Sequence, residues 1–173
     1  MAKKSVIAPN RWPLQSECDS FYGNPRGGGG NVSQSWVSAN LVHVVCPWPL
    51  RMGTTPIHLI TIHRKCAESL TRVLNNTWDA VAHDMSKIKA GRFDDFDGSF
   101  NWRNKRGGNT LSMHAYGVAI DWDAGDNPFH ASKFWFTKDS VLIAKFIEEG
   151  WIWGGQWSPG SQDAMHVQAA RIH

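Results

Sequence analysis

Cysteine is scarce in this chain: Cys18, Cys46 and Cys66 are three among 173 residues, widely spaced and without a C-x-x-C pair. An odd, scattered set excludes a disulfide framework and a zinc ribbon and points to a fold that matures in a reducing compartment. Long apolar runs are missing too. No stretch approaches the roughly 18 apolar residues of a membrane-crossing helix. The opening AKKSVIAPNRWP offers two lysines and then an apolar patch that Pro9 and Arg11 interrupt, so no secretory leader is expected. Charge of one sign is also thin. The net charge of +3 comes from lysines and arginines scattered along the chain, which argues against a nucleic-acid-binding arm or stripe. Internal repeats and low-complexity segments are absent.

What is present is an apolar content of 42% in a chain of 173 residues, enough to bury one core. A single domain over residues 1–173 is expected. Residues 1–35, rich in Gly, Pro, Ser and Asn and holding the unbroken run Gly27 to Gly30, read as an irregular N-terminal arm or flexible loop. The β-branched run Leu41 to Cys46, stopped by Pro47 and Pro49, predicts a short strand. Apolar residues from Ile62 to Val81 recur at steps of three and four, which predicts an amphipathic helix with Thr61 as its N-cap. RFDDFDGSFNWR predicts a strand with a turn near Asp97-Gly98, VAIDWDA another strand, residues 137–149 a second helix closed by Gly150, and WIWGG and MHVQAA two final strands. Helices and antiparallel strands in mixed order make the fold class α+β, a small antiparallel sheet with flanking helices.

The chemistry concentrates in SMHAYGVAID, residues 112–121, and SQDAMHVQA further on. His114 and Asp121 are seven apart. On an uninterrupted strand they would face opposite sides, so both reach one ion only if the chain kinks, and Gly117 is placed to supply the kink. Ile120 and Trp122 flank Asp121; a sheet that buries those two turns the carboxylate to the other face with Ala119 and Asp123. Asp163 precedes His166 by three residues, a spacing that one turn brings together. Catalytic zinc takes three protein ligands and keeps a fourth position open, and His114, Asp121 and His166 supply that set. Asp163 is then the candidate general base. A cation near the scissile carbonyl would balance the charge of a tetrahedral intermediate, and Arg103 and Arg106 are the candidates.

Ser112-x-His114-x-x-Gly117-x-Ala119-x-Asp121, followed by Asp163-x-x-His166, resembles the zinc peptidases that include D-alanyl-D-alanine carboxypeptidases, vancomycin-resistance dipeptidases and phage L-alanyl-D-glutamate endopeptidases. The resemblance covers about residues 92–170. It implies the α+β fold those enzymes share with hedgehog signalling domains and a Zn2+ cofactor held by His114, Asp121 and His166. It also implies Asp163 as base, Arg103 in FNWR as the family's upstream arginine, and Ser112 as a substrate or supporting contact. Met165 and Val167 depart from the family's usual residues around the second histidine. A compact chain of this kind looks most like a phage endolysin: made in the host cytoplasm, monomeric, without stable membrane association, and acting on bacterial peptidoglycan at the L-alanyl-D-glutamate bond. A D-alanyl-D-alanine carboxypeptidase or dipeptidase and a non-catalytic, zinc-containing wall-binding domain are the alternatives within the resemblance.

Other residues have plainer readings. Of ten tryptophans most supply core area, and Trp157, on the loop before Asp163, is the candidate to line a substrate groove. Asp123 and Asp126 read as carboxylates of a turn, and Asp94, Asp95 and Asp97 as a turn lacking the ligand spacing of an EF-hand. His43, His58, His63, His83, His130 and His173 have no assigned task. A non-haem iron oxygenase also uses two histidines and a carboxylate, but its usual His-x-carboxylate spacing is not found here.

Overall fold

A computed structural model describes residues 12–173, so the first eleven residues, including the start of the expected arm and the segment read for a leader, lie outside the described residues. Strands β1 (Leu41–Met52) and β2 (Thr55–His63) form an antiparallel hairpin. Strands β3 (Phe96–Gly98), β4 (Ala119–Trp122), β5 (Ile152–Trp153) and β6 (His166–Gln168) form an antiparallel sheet in the order β3-β4-β6-β5. Helices α1 (Cys18–Tyr22), α2 (Gln34–Asn40), α3 (Arg64–Ala80), α4 (Met85–Ala90) and α5 (Val141–Glu148) flank them. The architecture is α+β, as the element pattern implies.

Alternation sets the two faces of the sheet. Ile120, Trp122 and Val167 are fully buried on one side, where α5 covers them through Phe146, its ring centroid 6.3 Å from that of Trp122. Asp121, His166 and Gln168 therefore point to the opposite side. Helix α3 buries the stripe Cys66, Leu70, Val73 and Leu74, spaced at three and four, and is tied to the end of α5 where Glu149 receives Arg72 and Ser69.

The strand expected over Leu41 to Cys46 runs on to Met52. Pro47 and Pro49 do not end it; having no N–H to donate, they fall where the pairing register jumps between Val45 and Leu50. Strand β2 absorbs Ile62, and the helix starts at Arg64 with His63 rather than Thr61 as N-cap: its Nδ1 accepts the Lys65 N–H at 3.1 Å. His63 is fully buried, and its Nε2 donates to the Tyr22 carbonyl at 3.0 Å. Burial pushes its imidazole down to about 4. The last expected helix begins at Val141, later than 137, and Gly150 closes it at φ 81° as the left-handed residue expected there.

The described part of the expected arm, from Trp12 onward, is more ordered than its composition suggests. It contains α1 and the 3-10 turns Gln15–Glu17 and Gly28–Gly30, and Trp12, Cys18 and Tyr22 are buried. The Tyr22 hydroxyl donates to Ala169 O at 2.6 Å, and Arg171 donates from its backbone to Pro13 O. Burial pushes the thiols of Cys18, Cys46 and Cys66 up to about 12, so none is a thiolate near neutral pH. No helix among the described residues is long and apolar enough to cross a membrane.

Candidate metal centre

His114 sits on a 3-10 turn, Met113–Tyr116, that the Ser112 hydroxyl caps by accepting the His114 N–H at 3.3 Å. The turn ends at Gly117, whose φ of 65° and ψ of 36° are left-handed. A side chain there would put a Cβ 2.6 Å from Leu41 Cδ2, and the Gly117 carbonyl accepts the His63 N–H at 2.7 Å. Turn and strand hairpin thus lock together. Gly117 supplies the break that seven-residue spacing requires, and the chain enters β4 two residues later with Asp121 turned to the same side as His114.

Register does the rest. Asp121 pairs directly with His166 across β4 and β6, which sets the two side chains beside one another on the polar face. His114 Nε2 lies 3.2 Å from His166 Nδ1 and 3.2 Å from Asp121 Oδ2; His166 Nδ1 lies 2.9 Å from Asp121 Oδ1. Ligands at the ~2.0–2.1 Å of zinc bonds in a tetrahedron stand about 3.3 Å apart, so these spacings match a zinc donor triangle drawn slightly inward. The two histidines are buried and Asp121 is nearly so.

Hydrogen bonds behind the rings decide which nitrogen faces in. His114 Nδ1 is 2.6 Å from the Ser99 carbonyl, which only accepts, so Nδ1 carries the hydrogen and Nε2 presents a lone pair. Gln168 donates its amide N–H to Ala170 O at 2.6 Å, which turns Oε1 toward His166 Nε2 at 3.0 Å. That nitrogen therefore donates, and His166 Nδ1 also presents a lone pair. Two lone pairs and a carboxylate converge with no proton between them, an arrangement that calls for a cation. Without a metal a proton must serve. Burial opposes charge on both partners, yet the hydrogen bond to Asp121 raises His166, and the two imidazoles beside it hold the Asp121 carboxyl well below the usual range. Among the described residues, His114, Asp121 and His166 are the group able to hold a metal ion, and the donor chemistry fits zinc.

Asp163 is half-buried beside this cluster. Burial raises its carboxyl; His166 and Arg106 pull it down and the Asp121 charge pushes it further up. Its Oδ1 is buried and has no hydrogen-bond partner among the described residues. Its backbone is fixed by Asp163 N donating to Gly154 O at 3.0 Å and by its own carbonyl accepting His166 N–H at 3.1 Å. Of the two candidate arginines, Arg106 is the one whose charge reaches Asp163, and its guanidinium lies over the Phe129 ring at 5.2 Å. Arg103 Nη1 is turned to the neighbouring Asn104 carbonyl at 3.3 Å. Trp157 packs against His166, ring centroids 5.5 Å apart.

The other acidic residues near β3 and β4 have structural tasks. Asp123 is buried, at φ 45°, and holds the Asn127 amide; Asp126 pairs with Arg92; Asp94 and Asp95 pair with Arg51; Asp97 accepts the Ala124 N–H. Two members of the site were not foreseen. Gln168 stands two residues after His166 on the same strand face, a signal that period-two counting offers. Ser99 acts through its carbonyl, which every residue has, so no side-chain pattern marks it.

No curated protein and no solved structure matches the chain. A family model described as D-alanyl-D-alanine carboxypeptidase matches residues 106–169, a little over a third of the chain. That segment begins at Arg106, leaves Arg103 outside, and contains Ser112, His114, Gly117, Asp121, Asp163 and His166. The segment holding the whole cluster thus carries the pattern of a peptidase family of the D-alanyl-D-alanine carboxypeptidase type.

Proposed function

We propose that the chain is a zinc-dependent peptidase of bacterial peptidoglycan, cutting stem peptides between L-alanine and D-glutamate in the manner of a phage endolysin. Its partner is the cell wall rather than nucleic acid or a membrane; it works as a monomer, made in a host cytoplasm and meeting the wall after release. The observation that carries the reading is the convergence of His114 Nε2, His166 Nδ1 and an Asp121 oxygen, all three acceptors turned inward.

In this reading His114, Asp121 and His166 hold the ion, and Ser99 O and Gln168 Oε1 keep the two rings in the required tautomers. Zinc, when bound, would polarise the scissile carbonyl and acidify a water molecule to a pKa of about 7. Asp163 takes a proton from the attacking water as the carbon–oxygen bond forms. It returns that proton to the amine nitrogen as the carbon–nitrogen bond breaks, a contribution of about 100- to 10,000-fold. Its unpartnered Oδ1 and raised carboxyl suit a group that must accept and release a proton. Arg106, rather than Arg103, faces the negative charge that develops on the carbonyl oxygen. Ser112 acts by holding the His114 turn, with contact to substrate a further proposal, and Trp157 walls the groove.

The test is mass spectrometry of purified peptidoglycan after digestion, with and without a chelator. New amino-terminal D-glutamate that disappears with the chelator and returns with zinc supports the reading. The matched family's description favours a second one, removal of terminal D-alanine, and release of D-alanine alone would replace the first. Bound zinc with no cleavage at all would leave a wall-binding domain.

A further inference from the structure

Beyond Trp157 lies a cleft of about 580 Å³ walled by Ile152, Trp153, Gln156, Trp157, Ser158 and Arg171. None of the three cluster residues lines it, so the proposed chemistry leaves it without a task. Its place follows from the sheet. Ile152 pairs with Gln168, and Gln168 turns its side chain to His166, so Ile152 lies on the cluster's face of the sheet one strand further out. Trp157 is shared by the two places: its ring packs against His166, and it is among the residues that line the cleft.

We propose that this cleft binds a hexosamine disaccharide of the glycan strand, an inference that rests on the peptidoglycan reading for its choice of sugar. Its volume falls within the ~300–1,000 Å³ of small-ligand sites. The Trp157 indole and Ile152 offer apolar walls for the hydrogen-bearing face of a pyranose ring. Gln156, Ser158 and Arg171 offer donors for hydroxyls, an N-acetyl carbonyl and the acid side group of a muramyl residue. Arg171 is held in place for this by Nε donating to Trp12 O at 2.8 Å, which anchors the guanidinium at the cleft wall.

Distance ties the cleft to the bond. Strands are about 4.8 Å apart, so a ligand beside β5 begins roughly one strand spacing from β6. A stem peptide hangs from the muramyl residue by its first amino acid, and one extended residue spans about 3.6 Å. The bond after L-alanine therefore falls in the cluster when the sugar fills the cleft. The bond between the two terminal D-alanines, three residues on, would lie about 10 Å past it.

The experiment titrates the full chain with the peptide-free disaccharide N-acetylglucosaminyl-N-acetylmuramic acid, followed by calorimetry and ligand-detected NMR, once with zinc and once with chelator. Saturable binding at about millimolar Kd in both states is expected, because the cluster does not line the cleft. Gln156→Ala/Ser158→Ala, checked for fold by circular dichroism, should weaken it about tenfold, and Arg171→Ala likewise. Absence of saturable binding, equal binding by the variants, or displacement of the sugar by a sugar-free stem peptide would overturn the proposal. Because the titration involves no hydrolysis, sugar binding without peptide cleavage would sink the catalytic reading and leave the cleft standing, whereas cleavage without sugar binding would do the reverse.

Discussion

Gln168→Leu tests the claim that hydrogen bonds behind the rings set the metal site. Gln168 is 1% exposed; it accepts from His166 Nε2 at 3.0 Å and donates to Ala170 O at 2.6 Å. Leucine fills nearly the same space and removes both bonds. Loss of such a supporting partner typically costs about 10- to 100-fold in metal affinity, equivalent to ~1.4–2.7 kcal/mol. Zinc at about 1,000 times Kd stabilises a fold by ~4 kcal/mol, and in a chain of this length each kcal/mol moves Tm by about 2–4 °C. The zinc-induced rise of roughly 8–16 °C expected for the parent chain should therefore shrink by about 3–11 °C in the variant at the same zinc concentration. The stranded Ala170 carbonyl adds its own cost, about 1–3 kcal/mol, but that appears equally in the metal-free protein. Thermal unfolding with zinc and with chelator separates the two, and competition with a chromophoric chelator gives the affinity directly. Parent-like zinc affinity in Gln168→Leu would show that the ring tautomers are not fixed as described, and the case for three inward acceptors would fall with it.

His63 makes stability depend on pH. Its imidazole titrates near 4 in the fold against about 6.5 in the unfolded chain, so the unfolded state binds the extra proton between those values. Stability is then whole above about 6.5 and falls as pH drops toward 4, by at most ~3 kcal/mol. Denaturant melts of metal-free protein at pH 7 and 4.5 should show this fall, less steeply in His63→Gln, and equal slopes in the two proteins would refute it. Gly117→Ala must place a Cβ 2.6 Å from Leu41 Cδ2 at φ 65°, and a loss of about 2–4 kcal/mol is expected from urea unfolding; a loss under about 0.5 kcal/mol would mean the turn is not held as described. Asp163→Asn should keep its zinc by elemental analysis and its fold, while wall lysis drops by about 100-fold or more. Unchanged lysis would remove Asp163 from the mechanism.

The candidate ligands were legible because short-range order encodes them. A histidine, a glycine able to adopt a left-handed turn, and a carboxylate between two large apolar residues state locally which side each group takes. Burial of Ile120 and Trp122 then leaves Asp121 no other face. The helix α3 stripe is legible for the same reason, since Leu70, Val73 and Leu74 carry their period with them. Three things lay beyond the sequence. The 12–35 stretch looks irregular by composition, yet the Tyr22 hydroxyl is fixed by the Ala169 carbonyl it donates to and the Trp12 carbonyl by the Arg171 guanidinium that donates to it, partners that local pattern does not name. The prolines of β1 read locally as the end of a strand that a four-residue bulge lets continue. The inward lone pair of His114 depends on the Ser99 carbonyl, a group common to every residue, and the meeting of Asp121 with His166 depends on a strand pairing across 45 positions. Sequence thus determined which side chains could serve a cation and which way each one faces. Tertiary structure alone decided that they meet, because register and backbone acceptors are set by long-range packing, which leaves no mark in the spacing of the residues it brings together.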